Sequence, residues 1–436
     1  MKFYDRKNEL KLLAEGRRVS IKNGTFTVMV GRRRIGKTSL LLESVKKKKH
    51  LYLFVSRQSE VLLCEGFQDA AFEKLGLRIF GRVSRFRDLF EQLLLFGKEQ
   101  PYTLIIDEFQ DLERVNPAIF GEIQNLWDQY KDRVKINFIA SGSVYSMMIK
   151  IFENNKEPLF GRLTSRFLLK PFKVDVIKEI LADHNPAYTA EDILCLYLIT
   201  GGVPKYISLL MDAGAVDIDK MLGMLTRQDS PFLGEGKDIL VSEFGKEYGI
   251  YFSVLQLIAR GKTTQIEIDS IIGKNTGAYL SNLEKEYSLI ERYKPMFSKP
   301  ESRNTRWRIG DNFLRFWFRF IFPNQYLVET GQFDALRKLI ERDYIQYSGL
   351  VLEQYFRDKL AGSGEAAVMG SWWDSKGENE IDLIVLNKLD RTATVAEVKR
   401  SAEKISLPLL EEKAKKLRRE LSDYRVQYRG LSMADM

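Results

Sequence analysis

The stretch TFTVMVGRRRIGKTSLLLESV, residues 25–45, constrains the fold more than any other part of the chain. Phe26 to Val30 is an apolar, β-rich run, and SLLLESV reads as the opening of a helix. Between them Gly31 to Thr38 matches G-x-x-x-x-G-K-[ST]. Glycines let backbone N–H groups curl around phosphate oxygens, and the following helix directs its positive end at them. The expected cradle is Gly31, Arg32, Arg33, Arg34, Ile35 and Gly36, continued by Lys37, Thr38 and Ser39. Lys37 would reach the β- and γ-phosphates, and the Thr38 hydroxyl would ligate magnesium.

A magnesium site of this kind needs an acid at the end of a neighbouring strand. YTLIIDEFQDL (102–112) supplies it: Tyr102 to Ile106 reads as a buried strand, ended by Asp107 and Glu108. Asp107 would hold the metal through water, and Glu108 would orient or deprotonate the attacking water. The bland alternative is a pair of exposed acids at a strand end. LYLFVS (51–56) and KINFIASGSV (135–144) read as two further strands, the second ending in Ser141 and Ser143. Ser143 is a candidate γ-phosphate sensor. Strands and helices that alternate in this way indicate an α/β fold with a doubly wound parallel sheet.

The chain has 436 residues, room for roughly two to four domains. Two cysteines, Cys64 and Cys195, exclude a disulfide framework and a thiolate zinc site, and two histidines, His50 and His184, argue against a histidine metal site. No segment approaches the apolar length that spans a bilayer, and MKFYDRKNELKLL lacks the apolar core of a signal peptide. The expected setting is cytoplasmic, with no membrane partner. The formal net charge is +9, with basic clusters at GRRR (31–34), KKKK (46–49) and KAKKLRR (413–419). That balance suits a polyanion such as nucleic acid, DNA above all; a solvated surface is the plain alternative.

After Pro171 the pattern turns helical, through VDVIKEILADH, AEDILCLYLITGG and KYISLLMDAG, and LTRQDSPFLGEGKD (225–238) reads as a linker. Helices at 250–259, 264–271 and 276–287 would precede two strands, LIERYKP and TRWRIGD, the layout of a winged helix-turn-helix. Lys274, Asn275, Tyr279, Asn282 and Lys285 offer groove contacts, but Glu284 and Glu286 among them would repel phosphate. The module is therefore either a reader of DNA or a packing and relay element.

The order GRRRIGKTS, IIDEFQ, IASGS with SMM after it, PLFGRLTSRFLLKPF and TGGVPKYI resembles the prokaryotic archaeal-type AAA ATPases, within the signal-transduction ATPase group. The resemblance covers essentially the whole chain. It implies ATP and Mg2+ as cofactors, slow switch-like hydrolysis, an arginine near the γ-phosphate (Arg162 or Arg166) and a helical-lid contact at Pro204. It also implies a C-terminal domain of unknown function that is similar to the PD-(D/E)XK nucleases. The expected organisation is a P-loop ATPase core at 1–172 and a helical lid and linker at 173–238. A winged helix-turn-helix would follow at 239–310, then a nuclease-like domain of restriction-endonuclease type at 311–436.

GENEIDLIVLNKLDRTATVAEVKRS (377–401) carries that last expectation. Asp382 lies on one apolar run and Glu397 on the next, with Lys399 two residues on and so on the same strand face as Glu397. Two carboxylates on adjacent strands can hold Mg2+ or Mn2+, and a lysine beside them can position water or stabilise developing charge. Glu353, on the helix read at 349–361, is a candidate third ligand. The family's Pro-Asp is Ile-Asp here, at 381–382. The basic segment EEKAKKLRREL (411–421) reads as a helix that could follow a nucleic-acid backbone. The expected function is an ATPase whose nucleotide state regulates this domain, possible homo-oligomerisation included. The competing reading is a nucleotide-dependent switch that binds DNA or protein without cutting it.

Overall fold

A computed structural model describes residues 1–244, 248–299, 301–302, 304–361, 367–374 and 377–436. The residues fall into two compact units, Asp5–Lys170 and Met1–Tyr4 with Pro171–Met436. No helix among the described residues is long and apolar enough to cross a membrane.

The first unit is built on a five-stranded sheet: β1 Thr25–Val30, β2 His50–Phe54, β3 Tyr102–Asp107, β4 Ile136–Gly142 and β5 Ser165–Leu168, in the order β2-β3-β4-β1-β5. Every pairing is parallel, as the alternating strand–helix pattern requires. β1, β3 and β4 are buried at every residue, so both faces are covered, whereas edge strand β5 is largely exposed. Aromatic rings fill the centre: Phe26 stacks on Phe138 at 4.2 Å and meets Trp127 edge-on at 5.5 Å. β5 went unread in the sequence, because SRFL is short and shows no clean alternation.

The second unit begins with the expected helices, Val174–His184, Ala190–Thr200 and Pro204–Asp212. Thr189 and Asp192 form a reciprocal cap at the start of the second, which is buried from Asp192 to Thr200. Residues 225–238 are not simply a linker. A helix opens at Phe232 inside that segment and runs to Phe244, across the boundary expected after 238. Gly234 and Gly236 look like turn residues, but Gly236 is where the backbone meets Trp317, whose ring nitrogen donates to the Leu233 carbonyl at 2.9 Å. A Cβ at position 236 would lie 2.3 Å from the Trp317 ring. Gly236→Ala should therefore lower stability by about 2 kcal/mol in thermal or urea unfolding, since overpacking outweighs the gain alanine gives an ordinary helix. A variant as stable as the parent would show that this contact yields easily.

Three helices follow at Tyr248–Ala259, Gln265–Ile272 and Gly277–Lys285, then an antiparallel pair, β6 Ile290–Tyr293 and β7 Arg306–Ile309. Phe313, Phe316, Trp317 and Phe320 are buried along a short helix and one π-turn. The helix read at 349–361 is the last part of a 29-residue helix, Phe333–Ala361. It leads into a four-stranded sheet of β8 Ala367–Trp373, β9 Glu380–Asn387, β10 Thr392–Val398 and β11 Arg425–Leu431, in the order β11-β10-β9-β8. β8, β9 and β10 pair antiparallel, and β11 lies parallel to β10. The basic segment is not one helix: the α-helix Leu407–Ala414 tightens to a 3-10 turn at 415–417 and then to turns. Leu410, Ala414, Leu417 and Leu421 pack into the sheet's core, which fixes one face of the segment inward.

Candidate functional site

The phosphate loop follows directly from the end of β1. Gly36 and Arg34 both take the left-handed conformation, at φ 86° and 71°. Gly36 does so freely, whereas a non-glycine residue there costs roughly 1 kcal/mol. A Cβ on Gly31 would lie 3.1 Å from the Leu169 carbonyl, so a side chain at that point would press on the backbone just after β5. The helix Lys37–Ser44 has no side-chain cap at its start, leaving its first amides turned toward the loop. Lys37 Nζ donates to the carbonyls of Gly31 (2.7 Å) and Arg32 (3.1 Å), curling back over the cradle.

Thr38 Oγ1 donates to Asp107 Oδ2 at 2.9 Å, so the two expected magnesium groups meet at one point. A hydroxyl and a carboxylate oxygen so placed are hard donors that suit Mg2+. Tyr52 OH donates to the same oxygen at 2.8 Å. Burial, with Asp107 beside it, holds the Tyr52 phenol well above its ordinary pKa, so it remains a donor. Glu108, at φ 53°, is aimed by two donors: Gln110 Nε2 and Ser143 Oγ each reach its Oε2 at 2.6 Å. Gln110 Oε1 and Ser141 Oγ are buried and have no hydrogen-bond partner among the described residues. Tyr52 and Gln110 were missed in the sequence. Gln110 stands two residues beyond Glu108 in DEFQ, a usable signal; Tyr52 reaches Asp107 only because β2 pairs with β3, with Phe54 opposite Asp107.

The structure brings Lys37, Thr38, Asp107, Glu108 and Ser143 to the ends of neighbouring strands, with Ser143 on Glu108. It does not bring the two arginines there. β5 runs parallel to β1 with Ser165 opposite Thr27, so the segment before it lies at the start of the strands, away from the phosphate loop. Arg162 accordingly pairs with Asp128 at 3.2 Å. Arg166 sits opposite Val28, halfway along the edge strand, and pairs with Glu153. Neither is placed as a γ-phosphate contact within its own unit. Pro204 is the first residue of its helix, in the other compact unit. Arg32 and Arg33 are half-buried, while Arg34 and Ser39 are exposed.

In the C-terminal sheet, Lys399 Nζ donates to Asp382 Oδ2 at 3.1 Å and lies 3.6 Å from Glu397 Oε1. The Val398 amide also donates to Asp382 (2.8 Å), and the Ser406 amide to Glu397 Oε2 (3.3 Å). Burial pulls the Lys399 ammonium down, but Asp382, Glu397 and Glu353 outweigh it and hold its pKa above the ordinary value. Burial and the Asp382 charge push the Glu353 carboxyl up to about 8. Among the described residues no group of three or more acidic, histidine or cysteine side chains is disposed to hold a metal ion. The expected three-carboxylate set of Asp382, Glu397 and Glu353 therefore does not form. Two acids converge on one lysine, and Glu353, on the long helix, lies near enough to feel the charges of Asp382 and Lys399. The basic run is partly neutralised as well: Lys415 pairs with Glu412 (2.5 Å) and Lys416 with Asp374 (3.3 Å).

Residues 3–210 match a family described as an ATPase domain predominantly from Archaea, and residues 317–417 match a family of archaeal and bacterial proteins of unknown function. An uncharacterized protein of Methanocaldococcus jannaschii is 34% identical over 407 residues, which cover 91% of this chain and 87% of that one. The chain belongs to the archaeal-type ATPase family. Membership in this P-loop family implies use of ATP, usually with magnesium, by the N-terminal domain. Among solved structures, a Walker-type ATPase of Pyrococcus abyssi shares the fold of the ATPase over 72% of this chain and 96% of its own (TM-score 0.54, 19% identity). Cdc6p of Pyrobaculum aerophilum matches over 77% of this chain and 95% of its own, at a TM-score of 0.36 and 14% identity.

Proposed function

We propose that the protein binds and hydrolyses ATP with magnesium, and that its nucleotide state governs a C-terminal nuclease-like domain that acts on nucleic acid. The observation that carries the ATPase part is the convergence of Lys37, the Thr38–Asp107 pair and Glu108 at the strand ends. Lys37 binds the terminal phosphates in place of the loop carbonyls it now holds. Thr38 and Asp107 would hold magnesium, which when bound neutralises charge on the β- and γ-phosphates. Glu108 accepts a proton from water, and Ser143 and Gln110 orient its carboxylate until then.

Support for the nuclease-like part is the order helix, three antiparallel strands, helix, parallel strand, with Asp382 and Glu397 near the open end of the β9–β10 hairpin, away from the turn that joins the strands. Asp382 and Glu397 would hold Mg2+ or Mn2+, which when bound supplies phosphate charge neutralisation and a water of lowered pKa. Lys399 would then turn its ammonium to the phosphate. The three helices ahead of β6 and β7 have the order of a winged helix-turn-helix and would carry the signal or touch DNA.

A specific observation favours a second reading, a switch that binds without cutting: Lys399 already pairs with both acids. The test is cleavage of labelled DNA and RNA, single- and double-stranded, in Mg2+ or Mn2+, with and without ATP. The expected result is cleavage that depends on ATP state, lost in Asp382→Ala together with calorimetric metal binding. ATP turnover without cleavage or metal binding at this domain would sink the nuclease reading and leave the switch.

A further inference from the structure

The four lysines at 46–49 take no part in either candidate site, yet the topology gathers more cations around them. In a parallel sheet the segments that lead into the strands share one end, here the end opposite the phosphate loop. Lys22 lies in the turn before β1, the lysine run lies before β2, and Lys98 lies before β3. The segment before β4 adds Lys131, Arg133 and Lys135. Backbone hydrogen bonds stitch these segments together. The Gly24 amide donates to the Lys131 carbonyl (2.7 Å), the Lys135 amide to Gly97 (2.8 Å), and the Thr103 amide to Lys49 (3.2 Å).

Within segments 20–24, 45–49, 97–101 and 131–135 there are nine basic residues against two acids, Glu99 and Asp132. This excess is most of the chain's formal +9. Helix-end acids answer only part of it, Glu43 on Lys46 (3.4 Å) and Asp128 on Lys131 (3.2 Å). Lys22, Lys47, Lys48, Arg133 and Lys135 are exposed and form no ion pair with any described residue. The segment before β5 adds little, with Lys156 and Arg162 against Glu157, and Arg162 is paired with Asp128. Crowded like charges repel and lower stability, and a polyanion reverses that cost.

We infer that this end of the ATPase sheet binds the phosphate backbone of nucleic acid, independently of base sequence. Compact ammonium groups on hydrogen-bonded segments suit phosphates as fixed point charges. A lipid surface fits less well. The rings at this end lie under cations, Phe96 beneath Lys49 (4.9 Å) and Tyr130 beneath Lys98 (4.7 Å). The exposed aliphatic side chains Val19, Ile21 and Leu42 sit on two segments rather than along one amphipathic helix.

The test is fluorescence anisotropy of the full chain with labelled duplex DNA and duplex RNA of random sequence across a salt series. Lys47→Glu/Lys48→Glu/Lys135→Glu should weaken binding at least ~10-fold and reduce the magnitude of the log–log salt slope by about 3, with ATP turnover unchanged. The glutamine triple variant, which adds no negative charge, should fall between it and the parent. Equal binding by parent and charge-reversed protein would overturn the inference, as would binding lost only in Asp382→Ala. Binding to phosphatidylserine vesicles with none to either duplex would also overturn it, in favour of a membrane.

Discussion

Lys37→Ala should raise the dissociation constant for MgATP at least ~100-fold, because about 3 kcal/mol of charge-assisted contact with the terminal phosphates is lost. The parent side chain already lies over the loop, with Nζ on the Gly31 and Arg32 carbonyls, so its charge sits within the cradle that phosphate oxygens would enter. Lys37 is itself buried, and no other lysine lies within the loop. Calorimetry with MgATP checks the effect, and an unchanged circular dichroism spectrum separates it from misfolding. Unaltered ATP affinity in a folded variant would remove Lys37 from the nucleotide site and with it the role given to Gly31–Ser39.

Glu108→Gln should leave MgATP affinity within about threefold of the parent and cut turnover by roughly 10²- to 10⁴-fold, the usual contribution of a positioned general base. The substitution keeps shape and one carbonyl oxygen, so Ser143 and Gln110 keep an acceptor, while the group that takes the proton is gone. Single-turnover phosphate release measures the chemical step directly. Parent-like release would mean that Glu108 only braces the end of β3, and the water would need another base.

Much of the first unit was legible in the sequence, for a physical reason. Phe26–Val30, Tyr102–Ile106 and 135–144 are continuous apolar runs because parallel strands are covered on both faces, and each ends in the polar residues that line the site. Lys37, Thr38, Asp107 and Glu108 sit at strand and helix ends, where chain position alone brings them to one edge. Glycine misled the reading at 225–238. Its permissiveness marks turns, but Gly236 is used for close approach, and that use needs Trp317, far along the chain, to be visible. The single helix expected at 411–421 failed for a related reason: the sheet beneath sets where Leu417 and Leu421 must point, and the helix tightens to meet it.

By itself the sequence determined the phosphate loop, the residues of the Thr38–Asp107 pair and the parallel sheet, since these depend on local patterns that few folds can satisfy. Tertiary structure decided which side chains share a point. It put Tyr52 on Asp107 and Gln110 on Glu108, moved Arg162 to the far end of the sheet, and set Lys399 between Asp382 and Glu397. It also drew four separate basic segments to one sheet end. Strand order and register control all of these, and they follow from long-range packing, which spacing along the chain does not encode.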